Sequence, residues 1–185
     1  MIEREVKFLV RDFGPYREAL HELGASCISS CFEDNIIYDD ERSSLRKSEK
    51  VLRLRKGDRT TLTLKTPAPT QEPVDPGEAR YKVREEYEIE ISDFEAAEKI
   101  VSELGFHKSF RYQKNREVFF VGQTSILLDH TPIGEYIEIE GDRNSIEAIT
   151  DELNLSLDEG ITKNYMTLYA EYRRQNSEAP EDMVF

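Results

Sequence analysis

The chain has no tryptophan, only two cysteines, a deficit of basic residues and no long apolar run. Each shortage closes off a class of function. Cys27 and Cys31 are too few for a disulfide scaffold and lack C-x-x-C spacing, so they read as ordinary reduced thiols. The 25 Lys+Arg stand against 38 Asp+Glu, a formal charge of −13. That balance argues against sequence-independent nucleic-acid binding, where basic residues supply affinity by displacing counterions. It argues equally against docking on anionic lipid. The longest weakly charged stretch, Val118 to Leu128, already contains Gly, Gln, Thr and Ser. It falls well short of the ~18 apolar residues of a membrane span. Met1-Ile2-Glu3-Arg4-Glu5 lacks the apolar run of a signal peptide. The expectation is a soluble, cytoplasmic protein.

What is present is charge. The 185 residues suit one domain with a buried core. Hydrophobic residues make up 38% of them and charged residues 34%, against usual shares of roughly 45–50% and ~25%. Either the surface is unusually charged, or charges sit where a core would normally be.

Along the chain, Pro67, Pro69, Pro73 and Pro76 crowd together just before Gly77, which predicts a long surface loop. Two stretches echo one another. Glu3 to Val10 alternates polar and apolar residues, then Asp12-Phe13 opens a helical pattern ending at Leu23-Gly24. Arg84 to Ile91 alternates likewise, and Asp93-Phe94 opens a second pattern ending at Leu104-Gly105, 81 residues further on. Each Asp suits an N-cap and each Gly a C-terminal stop. The echo reads as two related halves, although amphipathic helices with these caps are common enough to recur by chance. Val51 to Arg55 and Thr60 to Thr66 flank the hairpin signal Gly57-Asp58; Arg111 to Val121 and Ser125 to Asp129 flank Gly122-Gln123. Glu135 to Glu140 and Cys31 to Tyr38 complete about eight strands, and helical patterns occur near Ser145–Leu153 and Thr162–Tyr172. The fold class expected is α+β: a closed eight-stranded antiparallel barrel with helices packed outside. The domain is expected over residues 1–172, with 173–185 a loosely ordered polar tail.

Residues two apart share a strand face. Glu3, Glu5 and Lys7 therefore oppose Ile2, Val6 and Phe8; Arg53 and Arg55 oppose Leu52 and Leu54; Lys65 opposes Leu62 and Leu64. Arg84, Glu86, Glu88 and Glu90 oppose Tyr87, Ile89 and Ile91, Lys114 shares a face with Arg116, and Glu138 shares one with Glu140. A single strand of this kind is merely a sheet with one wet face. Repeated Glu, Arg and Lys on strand after strand is a different signal. With Asp129 the set holds eight acidic and seven basic residues, so most of the net charge lies elsewhere. If the barrel closes with its apolar face outward beneath the helices, these residues line a lumen. Charges of both signs there need compensation, which a divalent metal and a polyanion supply. Hard oxygen ligands favour Mg²⁺ or Mn²⁺.

Glu3-Arg4-Glu5-Val6-Lys7 resembles the E-x-E-x-K signature of the CYTH superfamily, the triphosphate tunnel metalloenzymes. Leu52-Arg53-Leu54-Arg55, Thr63-Leu64-Lys65-Thr66-Pro67, Arg84-Glu85-Glu86-Tyr87-Glu88, Lys114-Asn115-Arg116, Leu128-Asp129 and Gly134 through Glu140 follow in the family's order. The spacing around Asn35-Ile36-Ile37-Tyr38-Asp39 is similar to the class IV adenylyl cyclase-like subgroup. The resemblance implies Glu3, Glu5, Asp129, Glu138 and Glu140 as metal ligands. It implies Lys7, Arg53, Arg55, Lys65, Arg84, Lys114 and Arg116 on phosphate oxygens, with Glu86 and Glu88 beside them. Glu5, Lys65 and Arg55 are its catalytic candidates. It further implies Mg²⁺- or Mn²⁺-dependent hydrolysis of the terminal phosphoanhydride of a triphosphate, inorganic or organic, and homodimers are frequent in the family. The alternative is cyclisation of ATP to cyclic AMP and pyrophosphate; a lesser one is a non-catalytic polyphosphate- or nucleotide-binding module. Paired Glu disfavour the module, which has no use for metal ligands. The missing Trp removes a stacking residue used by the family's thiamine triphosphatases. His21 and His107 show no metal spacing, His130 is placed to edge the lumen, and Ser43 to Ser48 reads as a loop. Lys163 and Tyr165 begin the last helix, either near substrate or as ordinary helix-packing residues.

Overall fold

The computed structural model describes residues 2–68 and 76–185. Among these, eight strands form a closed barrel: β1 (Ile2–Val10), β2 (Cys27–Asp39), β3 (Val51–Lys56), β4 (Thr61–Pro67), β5 (Lys82–Glu90), β6 (His107–Val121), β7 (Thr124–Thr131) and β8 (Gly134–Glu140). The ring order is β1-β5-β4-β3-β2-β6-β7-β8, with β8 pairing back to β1 and all pairs antiparallel. Five helices accompany it among the described residues: α1 (Gly14–Glu22), α2 (Ser44–Lys47), α3 (Phe94–Glu103), α4 (Arg143–Glu152) and α5 (Tyr165–Gln175). α2 occupies the expected Ser43–Ser48 loop, its amides held by Asp39 and Asp40. Of the proline-rich loop, Pro67 ends β4 and Pro76–Arg80 forms a 3-10 turn, while Pro69 and Pro73 lie outside the described residues.

The internal echo is structural. Exchanging β1–β4 with β5–β8 maps the ring onto itself. Gly24 and Gly105 both adopt positive φ, 76° and 89°, the left-handed turn that glycine makes without steric penalty. Each closes its helix through the same bonds, Ala25 N–H to Leu20 O and Phe106 N–H to Val101 O. The two strand pairs that relate the halves are centred on Glu3 opposite Arg84 and Glu33 opposite Lys114. Both pairings join residues 81 positions apart, the repeat distance itself. One expectation fails. Asp93 caps α3 by accepting from Ala96 N–H, but Asp12 does not cap α1: Phe13 is the N-cap, and Asp12 accepts from Gly14 N–H. Pro15 stands where the second half has Ala96 and has no N–H to offer.

The barrel is apolar outside. Val6, Phe8, Ile126, Leu128, Ile137 and Ile139 pack with Leu20 of α1 and with Ile146 and Ile149 of α4. Leu54, with Ile36, Leu52 and Leu62, packs against Val101 of α3. The cover is incomplete: Tyr87 and Ile89, the repeat counterparts of Val6 and Phe8, are 55% and 59% exposed. Their partners on β4 are Leu64 and Leu62.

The polar C-terminus is not loosely ordered, as its composition suggests. Residues 173–175 complete α5, and the chain then returns along β6, where Met183 bridges Tyr112 in parallel and is fully buried. Met183 exchanges backbone hydrogen bonds with Arg111 and Gln113. Asp182 accepts from Lys108 at 2.5 Å and from Arg111 N–H at 2.8 Å. The buried Met183 anchors the segment, and Phe185 after it stacks on His130, contacts that average composition hides. Met183→Ala is expected to lower unfolding stability by about 2–5 kcal/mol in urea titration. An unchanged midpoint would show that the segment does not belong to the core.

Candidate active site

Strand alternation turns the charged residues inward. Glu5, Lys7, Arg53, Arg55, Lys65, Arg84, Lys114, Arg116, Glu138 and Glu140 line one cavity of about 970 Å³. Glu90 does not join them; it is exposed at the strand end, 3.8 Å from Arg59.

Three carboxylates gather at one place. Glu3 and Glu5 come from β1, and Glu140 comes from β8, directly opposite Glu5 in register. One oxygen of each lies within 4.8 Å of the others. Lys65 donates to both oxygens of Glu3 at 2.7 and 2.6 Å, and Lys82 donates to Glu5 at 2.6 Å. Burial and the neighbouring Glu5, Glu140 and Glu86 carboxylates outweigh Lys65 and push Glu3 up to about 8. Burial with Glu5 and Glu138 alongside also raises Glu140. At Glu5 burial acts in the same direction, but Lys82 and Lys7 overcome it and hold the group at about 2. Three crowded hard-oxygen donors, two of them reluctant to ionise without a counter-charge, fit a hard divalent cation.

Asp129 and Glu138 stand apart from this cluster. Asp129 is fully buried on β7 and accepts from Lys114 at 2.9 Å, from two nitrogens of Arg116 at 2.6 Å, and from the Tyr165 hydroxyl at 2.7 Å. Glu138 meets Lys7 at 2.5 Å and Arg116 at 2.7 Å. Its burial is outweighed by Lys7, Arg116 and Lys114, which hold its carboxyl well below the usual range. The expected five-member ligand set therefore divides. Glu3, Glu5 and Glu140 converge, while Asp129 and Glu138 serve as counterions to the cations, whose N–H groups occupy their lone pairs.

A third group lies on β2 to β5. Glu88 accepts from Thr63 at 2.7 Å and from Arg55 at 3.3 Å, and Arg53 stands 3.5 Å away. Glu86 is 3.2 Å from Lys65 and 3.9 Å from Arg53. Glu33 on β2 is 3.4 Å from Arg55 and 3.6 Å from Lys114; despite burial, Lys114, Arg116 and Arg55 bring it to about 2.

Four residues of the lumen escaped the sequence reading: Lys82, Glu33, Asn35 and Tyr112. Lys82 shares the parity of Arg84 and was findable by extending β5 two residues. Glu33 and Asn35 lie on a strand where Ile36-Ile37 breaks the alternation that assigns faces. Tyr112 offers its hydroxyl to Arg53 at 3.3 Å. Tyr165 proves to be a lumen residue, with Lys7 and Lys114 4.8 and 5.2 Å from its ring centroid. Lys163 instead pairs with Glu171 at 2.8 Å, half exposed. His130 does not edge the lumen; its parity is opposite to Asp129, and it stacks on Phe185 outside.

Comparison with known proteins agrees with this architecture. The CYTH domain matches residues 1–165. A curated protein of Methanocaldococcus jannaschii with the provisional name adenylate cyclase is 29% identical over 180 residues, 91% of this chain and 98% of its own. Among solved structures, a Pyrococcus horikoshii protein superposes with a TM-score of 0.71 at 25% identity, covering 92% of this chain and 99% of that one. A Vibrio parahaemolyticus protein, also provisionally named adenylate cyclase, gives 0.79 at 18% identity, covering 92% and 98%. A Hippeastrum protein described as having a dominant triphosphatase activity gives 0.58 at 16% identity, covering 92% and 96%. Among the described residues, no helix is long and apolar enough to cross a membrane. With the family match spanning most of the chain and the tunnel fold in place, the protein belongs to the CYTH domain family.

Proposed function

We propose that the protein is a metal-dependent triphosphatase that binds a triphosphate in the lumen and hydrolyses its terminal phosphoanhydride. The observation that carries this reading is the Glu3–Glu5–Glu140 cluster, of which Glu5 and Glu140 line the same cavity as Lys7, Lys65, Arg53, Arg55, Lys114 and Arg116. A pure anion binder has no use for three convergent carboxylates; a phosphoryl-transfer site does.

The chain's own residues divide the work. Arg53, Arg55, Lys114 and Arg116 take phosphate oxygens, Arg through its planar fork and Lys as a point charge. Asp129, Glu138, Glu88 and Glu33 hold these cations in position beforehand, so little reorganisation is needed as charge develops. Lys65, between Glu3 and Glu86, and Arg55, between Glu33 and Glu88, are placed to neutralise charge on the transferred phosphoryl group. Tyr165 orients Asp129 and, through it, Lys114 and Arg116. A divalent cation held by Glu3, Glu5 and Glu140 supplies Lewis-acid neutralisation of phosphate charge when bound. The provisional names of the M. jannaschii and V. parahaemolyticus relatives favour ATP cyclisation as the second reading. The dominant activity described for the Hippeastrum protein favours hydrolysis.

Incubation with inorganic triphosphate and with ATP, each with Mg²⁺ or Mn²⁺, separates the two. Orthophosphate from both substrates is expected; cyclic AMP with pyrophosphate from ATP would overturn hydrolysis in favour of the cyclase. Glu5→Gln is expected to reduce turnover by about 100-fold or more, the scale of losing one electrostatic contact to the transition state, with the circular dichroism spectrum unchanged. Retained turnover would sink the role of Glu5.

The raised Glu3 carboxyl has a consequence for stability. Because its folded value is about 8 against an ordinary 4.5, the metal-free folded protein keeps a proton that the unfolded chain sheds. Its contribution is fully present below about 4.5, declines as pH rises, and is lost once pH passes about 8. In chelator the melting temperature is therefore expected to fall from pH 6 to 8.5 more steeply in the parent than in Glu3→Gln. Mg²⁺ or Mn²⁺ is expected to recover most at the higher pH, where the carboxylates are free of protons. Parallel pH slopes for the two proteins would contradict the crowding of the cluster.

A further inference from the structure

Asn35 is the one uncharged amide in the charged lumen that stands unsatisfied among the described residues. It is fully buried, and neither Nδ2 nor Oδ1 has a hydrogen-bond partner among those residues. Its neighbours along β2 fix its direction. Glu33, two positions before, reaches Arg55 and Lys114, and Ile37, two positions after, packs with the Tyr112 and Tyr165 cluster. Ile36, on the opposite parity, packs outward beneath α3. In register Asn35 lies directly between Arg55 on β3 and Tyr112 on β6. Tyr112 accepts from Arg53, whose own Nε is also buried without a partner. Arg53 lines the cavity and Asn35 lies on the inward face of β2 beside it, so two unsatisfied N–H donors occupy the same side of the barrel interior.

An unpaired buried amide lowers stability, and an apolar residue of similar size would remove that penalty. An amide left unpaired in this position points to a partner that arrives from outside. We propose that Asn35 is a substrate-binding residue whose Nδ2 donates to a phosphate oxygen lodged between Arg53, Arg55 and Lys114. A neutral donor suits this place. On its own face of β2 its neighbour is Glu33, whose charge is met by Arg55 and Lys114, while Asp34, on the opposite parity, pairs with Arg111. The amide adds a hydrogen bond without adding another cation to a cluster that already holds three. This inference rests on the triphosphate reading above and extends it to a residue that no charge pattern identifies.

The test uses the full chain, inorganic triphosphate as the probe, and two readouts: calorimetric affinity in the presence of Mg²⁺, and melting temperature without ligand. Inorganic triphosphate offers only phosphate oxygens, so any effect is on phosphate recognition. Asn35→Leu is expected to bind about tenfold to a hundredfold more weakly, the worth of one hydrogen bond to a charged group, while melting at the same or a higher temperature. Asn35→Asp, which replaces the donor with an anion of the same shape, is expected to weaken binding further. Unchanged affinity in Asn35→Leu beside a binding parent would overturn this inference and leave the triphosphate reading standing. A variant that loses affinity and melts lower would assign Asn35 a structural role, and so overturn the inference as well. Should Asn35→Leu fail to fold, Asn35→Ser replaces it, with the same loss of affinity expected and parental affinity overturning the inference. Failure of the parent itself to bind would overturn the triphosphate reading and the inference together.

Discussion

A closed lumen holding charges of both signs must satisfy each of them locally. Removing one partner of a buried ion pair typically costs about 3–5 kcal/mol. The rest of the structure follows from that demand. Lys7 and Lys114 are each only 2% exposed yet meet a carboxylate at 2.5 and 2.9 Å. Arg116 places two nitrogens on Asp129 and shares one with Glu138. With polar side chains committed to the interior, the apolar faces of the strands turn outward. The helices are therefore needed as a cover rather than as an optional layer, and the hydrophobic core becomes a shell between barrel and helices.

The two-fold relation of the halves shows how such a lumen can be assembled. In a strand pair of two identical copies, the residue on the symmetry axis faces itself, and a charged residue there would face its own charge. Both axial positions hold opposite signs, Glu3 against Arg84 and Glu33 against Lys114. The backbone repeats while the charges differ. The same divergence builds the functional asymmetry: β1 carries Glu3, Glu5 and Lys7 where β5 carries Arg84, Glu86 and Glu88. The convergent carboxylates arise only where β1 meets β8, and no equivalent cluster of three forms elsewhere among the described residues.

Much of this is legible in the sequence, because period-two alternation of charge is a strong local signal. Every strand was found, and the lumen face of β1, β3, β4, β5, β6 and β8 followed from parity. What could not be read depended on information not held in alternation. The division of the acidic residues into a convergent cluster and counterions depends on which strands adjoin, since Glu140 meets Glu5 only through the β1–β8 closure. Lys82 lay beyond an assumed strand end. Asn35 carries no charge, so a search for charges passed over it. Met183 needed the tertiary fact that β6 offers its backbone and Tyr112 its ring to a returning chain.

The acidic exterior and the balanced lumen bear on how a polyanion could enter. Phosphate oxygens that approach Arg116, Lys114 and Lys7 would share these cations with Asp129 and Glu138, which already offset part of their charge. A polyanion entering alone would add negative charge to a lumen whose cations are already paired. A divalent cation held by Glu3, Glu5 and Glu140 would favour the ionised form of Glu3 and Glu140 and would compete with Lys65 for Glu3. The near-neutral lumen is thus poised so that neither the anion nor the cation is well accommodated without the other. Binding of the two is expected to be mutually reinforcing for electrostatic reasons alone.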